Sequence, residues 1–131
     1  MSPRVRAWAP AIGWMAMLFI VSSFHHVPSP HIDNFDKVEH GTAYAVLGFL
    51  IERAWTLSGG RGRGWLIPFV AGSLYGVSDE IHQVFVPGRS ADPRDWIADS
   101  AGVLLGIFIY TRLAARRTAR ASAPAGGGTL P

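Results

Sequence analysis

Four long apolar segments dominate the chain, and short polar stretches separate them. The segments run from about residue 8 to 24, 38 to 55, 65 to 86 and 96 to 113. A membrane-spanning helix needs roughly 17–25 predominantly apolar residues, and each segment falls in that range. Because lipid offers no partners to the edges of an open sheet, helices are the expected structure. The pattern therefore predicts an all-α polytopic membrane protein with a four-helix transmembrane bundle.

Composition also favours a membrane protein over an ordinary soluble domain. Hydrophobic residues make up 49% of the 131 residues, and charged residues make up only 16%. The chain has no cysteine, which excludes disulfides and thiolate metal sites. Arg4 and Arg6 precede the first segment, as in a signal peptide. However, Ser22-Ser23-Phe24 is a poor cleavage site, so we expect a retained helix.

The basic residues predict the orientation of the chain. Nine arginines lie before the first segment, between the second and third, or after the fourth, whereas Lys37, Arg89 and Arg94 lie near the opposite ends. Basic residues are enriched on the cytoplasmic side, so both termini are predicted in the cytoplasm. The net charge of +3 therefore indicates topology and not nucleic-acid binding. Residues 1–113 form the predicted transmembrane domain, and residues 114–131 form a basic, then disordered, cytoplasmic tail.

The last three segments carry polar residues on the same helix face as small residues. At about 100° per residue, positions 0, 4, 7 and 11 form one narrow stripe. Small residues let helix backbones approach closely, so these stripes are predicted packing faces. They contain Asp36, His40, Ala43 and Leu47, with Tyr44 at the edge; Gly72, Gly76, Asp79 and Gln83; and Asp95, Asp99, Gly102 and Gly106.

The polar residues are predicted to form one pocket near the outer leaflet, where eight of the nine acidic residues fall. Asp36 precedes His40 by one helical turn and is expected to hold its tautomer, which makes both candidates for acid–base catalysis. Arg89 follows a predicted turn and suits a carboxylate or a phosphate. The same side chains also fit a salt-bridge network that only fixes the bundle. The predicted binding residues are Asp36, His40, Tyr44, Asp79, Glu80, Gln83, Arg89, Asp95 and Asp99.

Several polar side chains are of the types that bind metals. Their spacing matches no HExxH or comparable motif, and no nucleophile elbow, Walker loop or dinucleotide fingerprint occurs in the sequence. We therefore expect no metal and no cofactor. The side chains with suitable ligand atoms are Asp36, His40, Asp79, His82, Asp95 and Asp99.

Three motifs resemble the VanZ-like family of small bacterial membrane proteins. They are Asp36-Lys37-Val38-Glu39-His40 with Tyr44, then Asp79-Glu80-Ile81-His82-Gln83-Val84-Phe85-Val86-Pro87-Gly88-Arg89, then Asp95 with Asp99 and Gly102. The resemblance covers roughly residues 8–112, and the second motif is the most specific. Asp99 stands where the family typically shows Asn, so it keeps an acceptor but loses the amide donor.

The resemblance implies a place in the bacterial inner membrane and an effect on the cell envelope, with a role in teicoplanin tolerance but no settled reaction. The first hypothesis is a pocket that binds a lipid head group, a lipid-linked cell-wall precursor or a glycopeptide, with Arg89 on the anionic group. The second is an enzyme acting on a lipid head group, with His40 held by Asp36. The third is a structural membrane protein whose polar residues lock the bundle. Membrane lipids are expected partners in each case.

Overall fold

The computed structural model describes residues 1–24, 35–60 and 64–122. Within these ranges the chain forms helices and no strand, which confirms the predicted all-α class. Disorder was predicted for residues 121–131; of these, residues 121 and 122 are helical, and residues 123–131 lie outside the described residues. The helices are α1 (Pro3–Ser22), α2 (Phe35–Leu57), α3 (Leu66–Val84) and α4 (Pro93–Ser122).

Three helices extend beyond the apolar segments that predicted them, and the extensions of α1 and α4 are the longest. α1 begins at Pro3 because Ser2 caps it: the Ser2 hydroxyl accepts from the Val5 N–H at 3.3 Å, and proline fits the first turn. α4 continues past residue 113 to Ser122. Alanine and arginine, which dominate this extension, are strong helix formers, and Arg120 in the last turn complements the helix dipole.

α2 and α4 form the centre of the bundle because small residues let their backbones approach. A Cβ added at Gly102 would collide with the Gly41 carbonyl oxygen, and one added at Gly106 would collide with the Ala45 carbonyl oxygen. Substitution at these glycines would therefore push the helices apart. The core cluster of buried side chains beside this contact consists of Ala11, Leu18, Tyr44, Leu47, Ile51, Val103 and Ile107.

Hydrogen bonds from aromatic side chains attach α1 to its neighbours. The Trp14 indole N–H donates to the Ala43 carbonyl at 2.9 Å, which joins α1 to α2. The Tyr75 hydroxyl donates to the Met15 carbonyl at 2.6 Å, which joins α3 to α1. α3 also packs against α2 and α4. The outer helices are thereby held on two sides of the central α2–α4 pair.

Large apolar side chains remain exposed on the outward faces of the helices. Ile12 of α1 is 60% exposed, Leu74 of α3 is 62% exposed and Phe108 of α4 is 53% exposed. Extensive exposed apolar surface is typical of contact with lipid or with a partner. Among the described residues, α1 and α4 are the two helices that are long and apolar enough to cross a membrane. This finding covers two of the four predicted spans.

The predicted packing stripes of α3 and α4 are confirmed, because all of their members are buried. On α2, the prediction is confirmed only in part: Leu47 of the predicted stripe is buried, whereas Asp36 is not. The side that meets α4 contains Gly41, Ala45 and Gly48, where the small residues permit the closest approach. Tyr44 lies within the buried face and not at its edge, and the Asp36 side chain is 55% exposed.

Candidate functional site

One lysine holds three carboxylates where α2 and α4 begin. Lys37 Nζ lies 2.9 Å from Asp36 Oδ2, 2.7 Å from Asp95 Oδ1 and 3.4 Å from Asp92 Oδ2. We call these four residues the Lys37 cluster. Because Lys37 belongs to α2 and Asp95 to α4, the cluster ties the first turns of the two central helices together.

These contacts shift the pKa values of the Lys37 cluster. The hydrogen bond from Lys37 lowers the pKa of Asp36. The hydrogen bond to Asp95, followed by the one to Asp36, raises the pKa of Lys37. The pKa of Asp92 is lowered, first by the backbone N–H of Arg94 and then by Lys37. The shifts favour the charged forms of all three groups, so their ion pairs persist across neutral pH.

Asp92 connects the start of α4 to the end of α3. Its Oδ1 accepts from the Arg94 N–H at 2.9 Å, as an N-cap does for a helix that begins at Pro93. Its own N–H donates to Glu80 Oε2 at 2.8 Å. This bond positions one oxygen of Glu80, a side chain that is buried in α3. The other oxygen, Oε1, is buried without a hydrogen-bond partner among the described residues.

His40, Glu80 and Asp99 bring together side chains from α2, α3 and α4, and we call them the His40 cluster. His40 Nδ1 lies 3.0 Å from Asp99 Oδ1. Each of the three residues offers one ligand atom within 4.8 Å of the others, an arrangement that can hold a metal ion. Asp99 is 0% exposed, and its Oδ2 has no hydrogen-bond partner in the described part of the chain. A buried acceptor without a donor is costly, so this cluster is incompletely satisfied.

Arg89 returns toward the bundle after the turn that ends α3. Gly88 has φ of 80°, a left-handed conformation that glycine adopts without strain. Arg89 Nη2 donates to Gln83 Oε1 at 3.0 Å, and Gln83 Nε2 donates to Asp79 Oδ2 at 3.4 Å. Among the described residues, Arg89 forms no ion pair with a carboxylate. Its guanidinium therefore keeps both its charge and free N–H donors.

A cavity of about 840 Å³ lies between α1, α2 and this polar end of the bundle. Its α1 wall is apolar and contains Trp14, Met17, Leu18 and Val21. The polar groups that line it include Arg89 and both residues that support Arg89, together with His40. A cavity with an apolar wall and a polar end is complementary to an amphiphilic molecule.

The structure brings most of the predicted binding residues to this cavity. Glu80 and Asp99 are not among the described residues that line it; they form the His40 cluster through His40, which does line it. The predicted lining residues that do face the cavity are Asp36, His40, Tyr44, Asp79, Gln83, Arg89 and Asp95. Tyr44 is only 1% exposed, and its hydroxyl is buried without a hydrogen-bond partner among the described residues.

Two predictions about His40 and about His82 are wrong, because the structure gives these histidines other partners. Asp36 was expected to hold His40, but the carboxylate bonded to His40 Nδ1 is that of Asp99, because α4 packs directly against α2 at this level. Asp36 instead binds Lys37. His82, a suggested metal ligand, lies apart from the His40 cluster with its Nε2 3.0 Å from the Ser23 hydroxyl. Glu80, which was predicted to bind substrate but not to ligate a metal, takes part in that cluster.

Sequence reasoning missed two features of this region. The first is Lys37 as the centre of three ion pairs; the available signal was that Lys37 is the only lysine in the chain and lies among acidic residues. The second is the apolar wall from α1, because the search for a site considered only polar side chains. Residues such as Met17 and Val21 carry no sequence signal that separates a cavity wall from a lipid-facing surface.

The helical fold, with two helices long and apolar enough to cross a membrane, indicates a small all-helical membrane protein. The sequence matches the family model VanZ/LLP1 over residues 7–115. The chain therefore belongs to the VanZ/LLP1 family, and the resemblance noted from its motifs is confirmed. No curated protein sequence and no solved structure matches the chain.

Proposed function

We propose that this protein binds an amphiphilic molecule of the cell envelope, such as a lipid-linked cell-wall precursor. The observation that carries the proposal is the lining of the cavity, where Met17 and Val21 face a polar end that contains His40 and Arg89. A lipid tail would lie along the α1 wall, where each buried methylene contributes about 0.8 kcal/mol. The role in glycopeptide tolerance expected from the family fits binding of either the precursor or the glycopeptide itself.

Arg89 is the residue that we assign to an anionic head group. A guanidinium carries five N–H donors in a planar fork, and the hydrogen bond to Gln83 uses one of them. The half-buried position of Arg89 makes a contact with phosphate stronger than it would be in bulk water. Gln83 and Asp79 lie behind Arg89 and hold the fork toward the cavity.

We also propose that the chain crosses the bacterial inner membrane four times, with both termini in the cytoplasm. The distribution of arginines supports this topology. Because the natural chain has no cysteine, single cysteines can report the side of the membrane. A membrane-impermeant maleimide added from the periplasmic side should label Ser90→Cys and leave Thr118→Cys unlabelled. The reverse labelling pattern would contradict the orientation.

The ligand proposal is tested with two lipids that share a tail. Native mass spectrometry of the purified protein should show retention of undecaprenyl phosphate. Arg89→Gln should reduce this retention at least tenfold, about 1.4 kcal/mol, because one charge-assisted contact is lost. Retention of undecaprenol, which lacks the phosphate, should not change. Arg94→Gln is the matched control, since Arg94 is an exposed arginine at the same end of the bundle.

The outcomes separate the first and third hypotheses. Equal retention of the phosphate lipid by the wild type and Arg89→Gln would remove Arg89 from the binding site. If the folded wild-type protein retains neither lipid, binding of a polyprenyl lipid is excluded. If, in addition, the Asp79→Asn variant does not fold, this would support a structural role for the polar residues.

A membrane enzyme acting on a lipid head group is the second candidate function. One contact favours it: Asp99 orients the imidazole of His40, which lines the cavity. An imidazole held by a carboxylate is suited to move a proton. In the same samples, such an enzyme would use water to hydrolyse undecaprenyl phosphate to undecaprenol and inorganic phosphate. His40→Gln would stop this hydrolysis without preventing retention. Unchanged lipid after long incubation would count against catalysis on this substrate.

A further inference from the structure

We infer that the His40 cluster binds a divalent transition-metal ion of the zinc type. Its three side chains come from three helices, and their ligand atoms lie within 4.8 Å of one another. An ion about 2.1 Å from each ligand would place any two ligands no more than about 4.2 Å apart. Around a tetrahedral ion the ligands would lie about 3.4 Å apart, so the widest pair would have to approach by about 1.4 Å, which is within the range of side-chain rotation.

The contact between His40 and Asp99 already has the spacing of two neighbouring ligands. Nδ1 and Oδ1 are 3.0 Å apart. Adjacent ligands of an octahedral or tetrahedral ion lie about 3.0–3.4 Å apart when each metal–ligand bond is about 2.1 Å. The pair that shares a hydrogen bond in the metal-free chain would thus share an ion with little rearrangement.

Two buried carboxylate oxygens without hydrogen-bond partners are a second, independent observation in favour of a bound cation. Asp99 Oδ2 and Glu80 Oε1 are buried, and no described group donates a hydrogen bond to either. The two residues are 0% and 7% exposed, respectively. Isolated carboxylate oxygens in such surroundings carry a large desolvation penalty. A divalent cation between the helices would offset this penalty by neutralising the negative charge of the two carboxylates.

The donor set indicates the class of ion. Imidazole favours zinc and similar transition metals, whereas calcium prefers six to eight oxygen ligands. Two carboxylates balance the charge of a divalent ion. Three protein ligands leave a coordination position open, as in catalytic zinc sites. Binding of the ion does not depend on the proposed lipid ligand.

The test measures zinc on the intact chain, purified in detergent without a histidine tag and stripped with a chelator. Equilibrium dialysis followed by elemental mass spectrometry should give one Zn²⁺ per chain, and Mg²⁺ in tenfold excess should not displace it. Asp99→Asn and Glu80→Gln should each weaken Zn²⁺ binding at least tenfold. Each change keeps the shape of the side chain and removes a charged ligand.

Glu52→Gln is the matched control, because it makes the same change at another buried glutamate. Glu52 of α2 is 4% exposed and also has a buried oxygen without a partner among the described residues, but it is not part of the His40 cluster. Zinc affinity should be unchanged in this variant. X-ray absorption at the zinc edge of the wild type should show imidazole scattering, a measurement that does not depend on the folding of any variant.

Two results would overturn the inference. One is a folded wild-type chain that retains no zinc, which would mean that protons neutralise the carboxylates. The other is equal zinc affinity in the wild type, Asp99→Asn and Glu80→Gln, which would place the ion elsewhere. Zinc bound without lipid retention would contradict only the proposed function, and lipid retained without zinc would contradict only the metal site.

Discussion

The Lys37 cluster and the His40 cluster lie at the same end of the bundle, and both bring carboxylates of α4 to a residue of α2. They differ in how the acidic charge is balanced. In the Lys37 cluster, one ammonium contacts three carboxylates, whose oxygens are not among the buried atoms without partners. In the His40 cluster, an imidazole contacts one carboxylate, and two oxygens stay bare.

The two clusters also differ in how far water can solvate their charges. The Lys37 side chain is 22% exposed and that of Asp36 is 55% exposed, so water shares in solvating the charges. The side chain of His40 is 17% exposed and that of Asp99 is fully buried. Ion pairs near water need no further partner, whereas buried acceptors do. The candidate site is therefore marked by buried carboxylate oxygens that have no partner among the described residues, and not by the number of charges.

Both clusters depend on the close approach of α2 and α4, and the largest predicted effect comes from breaking it. Gly106→Ala would place a methyl group against the Ala45 carbonyl oxygen. Overpacking of this kind costs about 1–3 kcal/mol, and more where backbone must move. We expect a large fall in the thermal midpoint of the detergent-purified protein, together with weaker zinc binding. The variant would disrupt both clusters at once.

Gly13→Ala is the control for that substitution. Gly13 lies within α1, and a Cβ added there meets nothing within 4 Å. Because alanine stabilises a helix interior relative to glycine by about 0.5–1 kcal/mol, the thermal midpoint should stay the same or rise slightly. If Gly106→Ala were as stable as Gly13→Ala, close packing of α2 and α4 would not be what assembles the clusters.

The sequence predicted the features that depend on a single helix, namely which face of that helix is buried. Glycines at helical spacing beside Asp79 and Asp99 indicated the buried faces of α3 and α4 correctly, because a packing face needs small residues whatever lies opposite. On α2, the same rule was right for Leu47, which is buried, but missed the surface that lies against α4. The stripe with Asp36 and Ala43 was selected, although Gly41 and Gly48 offered the closer approach.

The contacts between helices could not be predicted from the spacing of residues along the sequence. Asp36 is one turn from His40 in sequence, but the carboxylate that reaches His40 lies 59 residues away, in Asp99. Likewise, Lys37 takes Asp95 as a partner across 58 residues. Helical periodicity fixes the face of a residue and not the residue opposite, which is set by how far each helix slides along its neighbour.

A smaller effect is expected when the Lys37 cluster alone is changed. Lys37→Met would leave the three carboxylates near one another without their shared cation. Hydrogen bonds to charged groups contribute about 1.5–3 kcal/mol when buried, and partial exposure reduces this, so a loss of about 1–2 kcal/mol is expected at neutral pH. Lys37→Arg should recover most of it. Zinc binding by the His40 cluster should remain, whereas its loss would show that the two clusters act as one.

The pH dependence of stability gives the finest comparison. Asp36 and Asp92 have pKa values below the ordinary 3.8, so their contribution is present above that pH and is lost as the pH falls through the lowered values. The pKa of Lys37 is raised from 10.5, so its contribution is present below 10.5 and is lost at higher pH. Thermal midpoints of the wild type and Lys37→Met should therefore differ most on the plateau between these limits and converge beyond both. Curves that stay parallel as the pH falls through the lowered pKa values would mean that the ion pairs of Lys37 do not supply the difference. The Lys37 cluster would then not be a cluster whose charges neutralise one another.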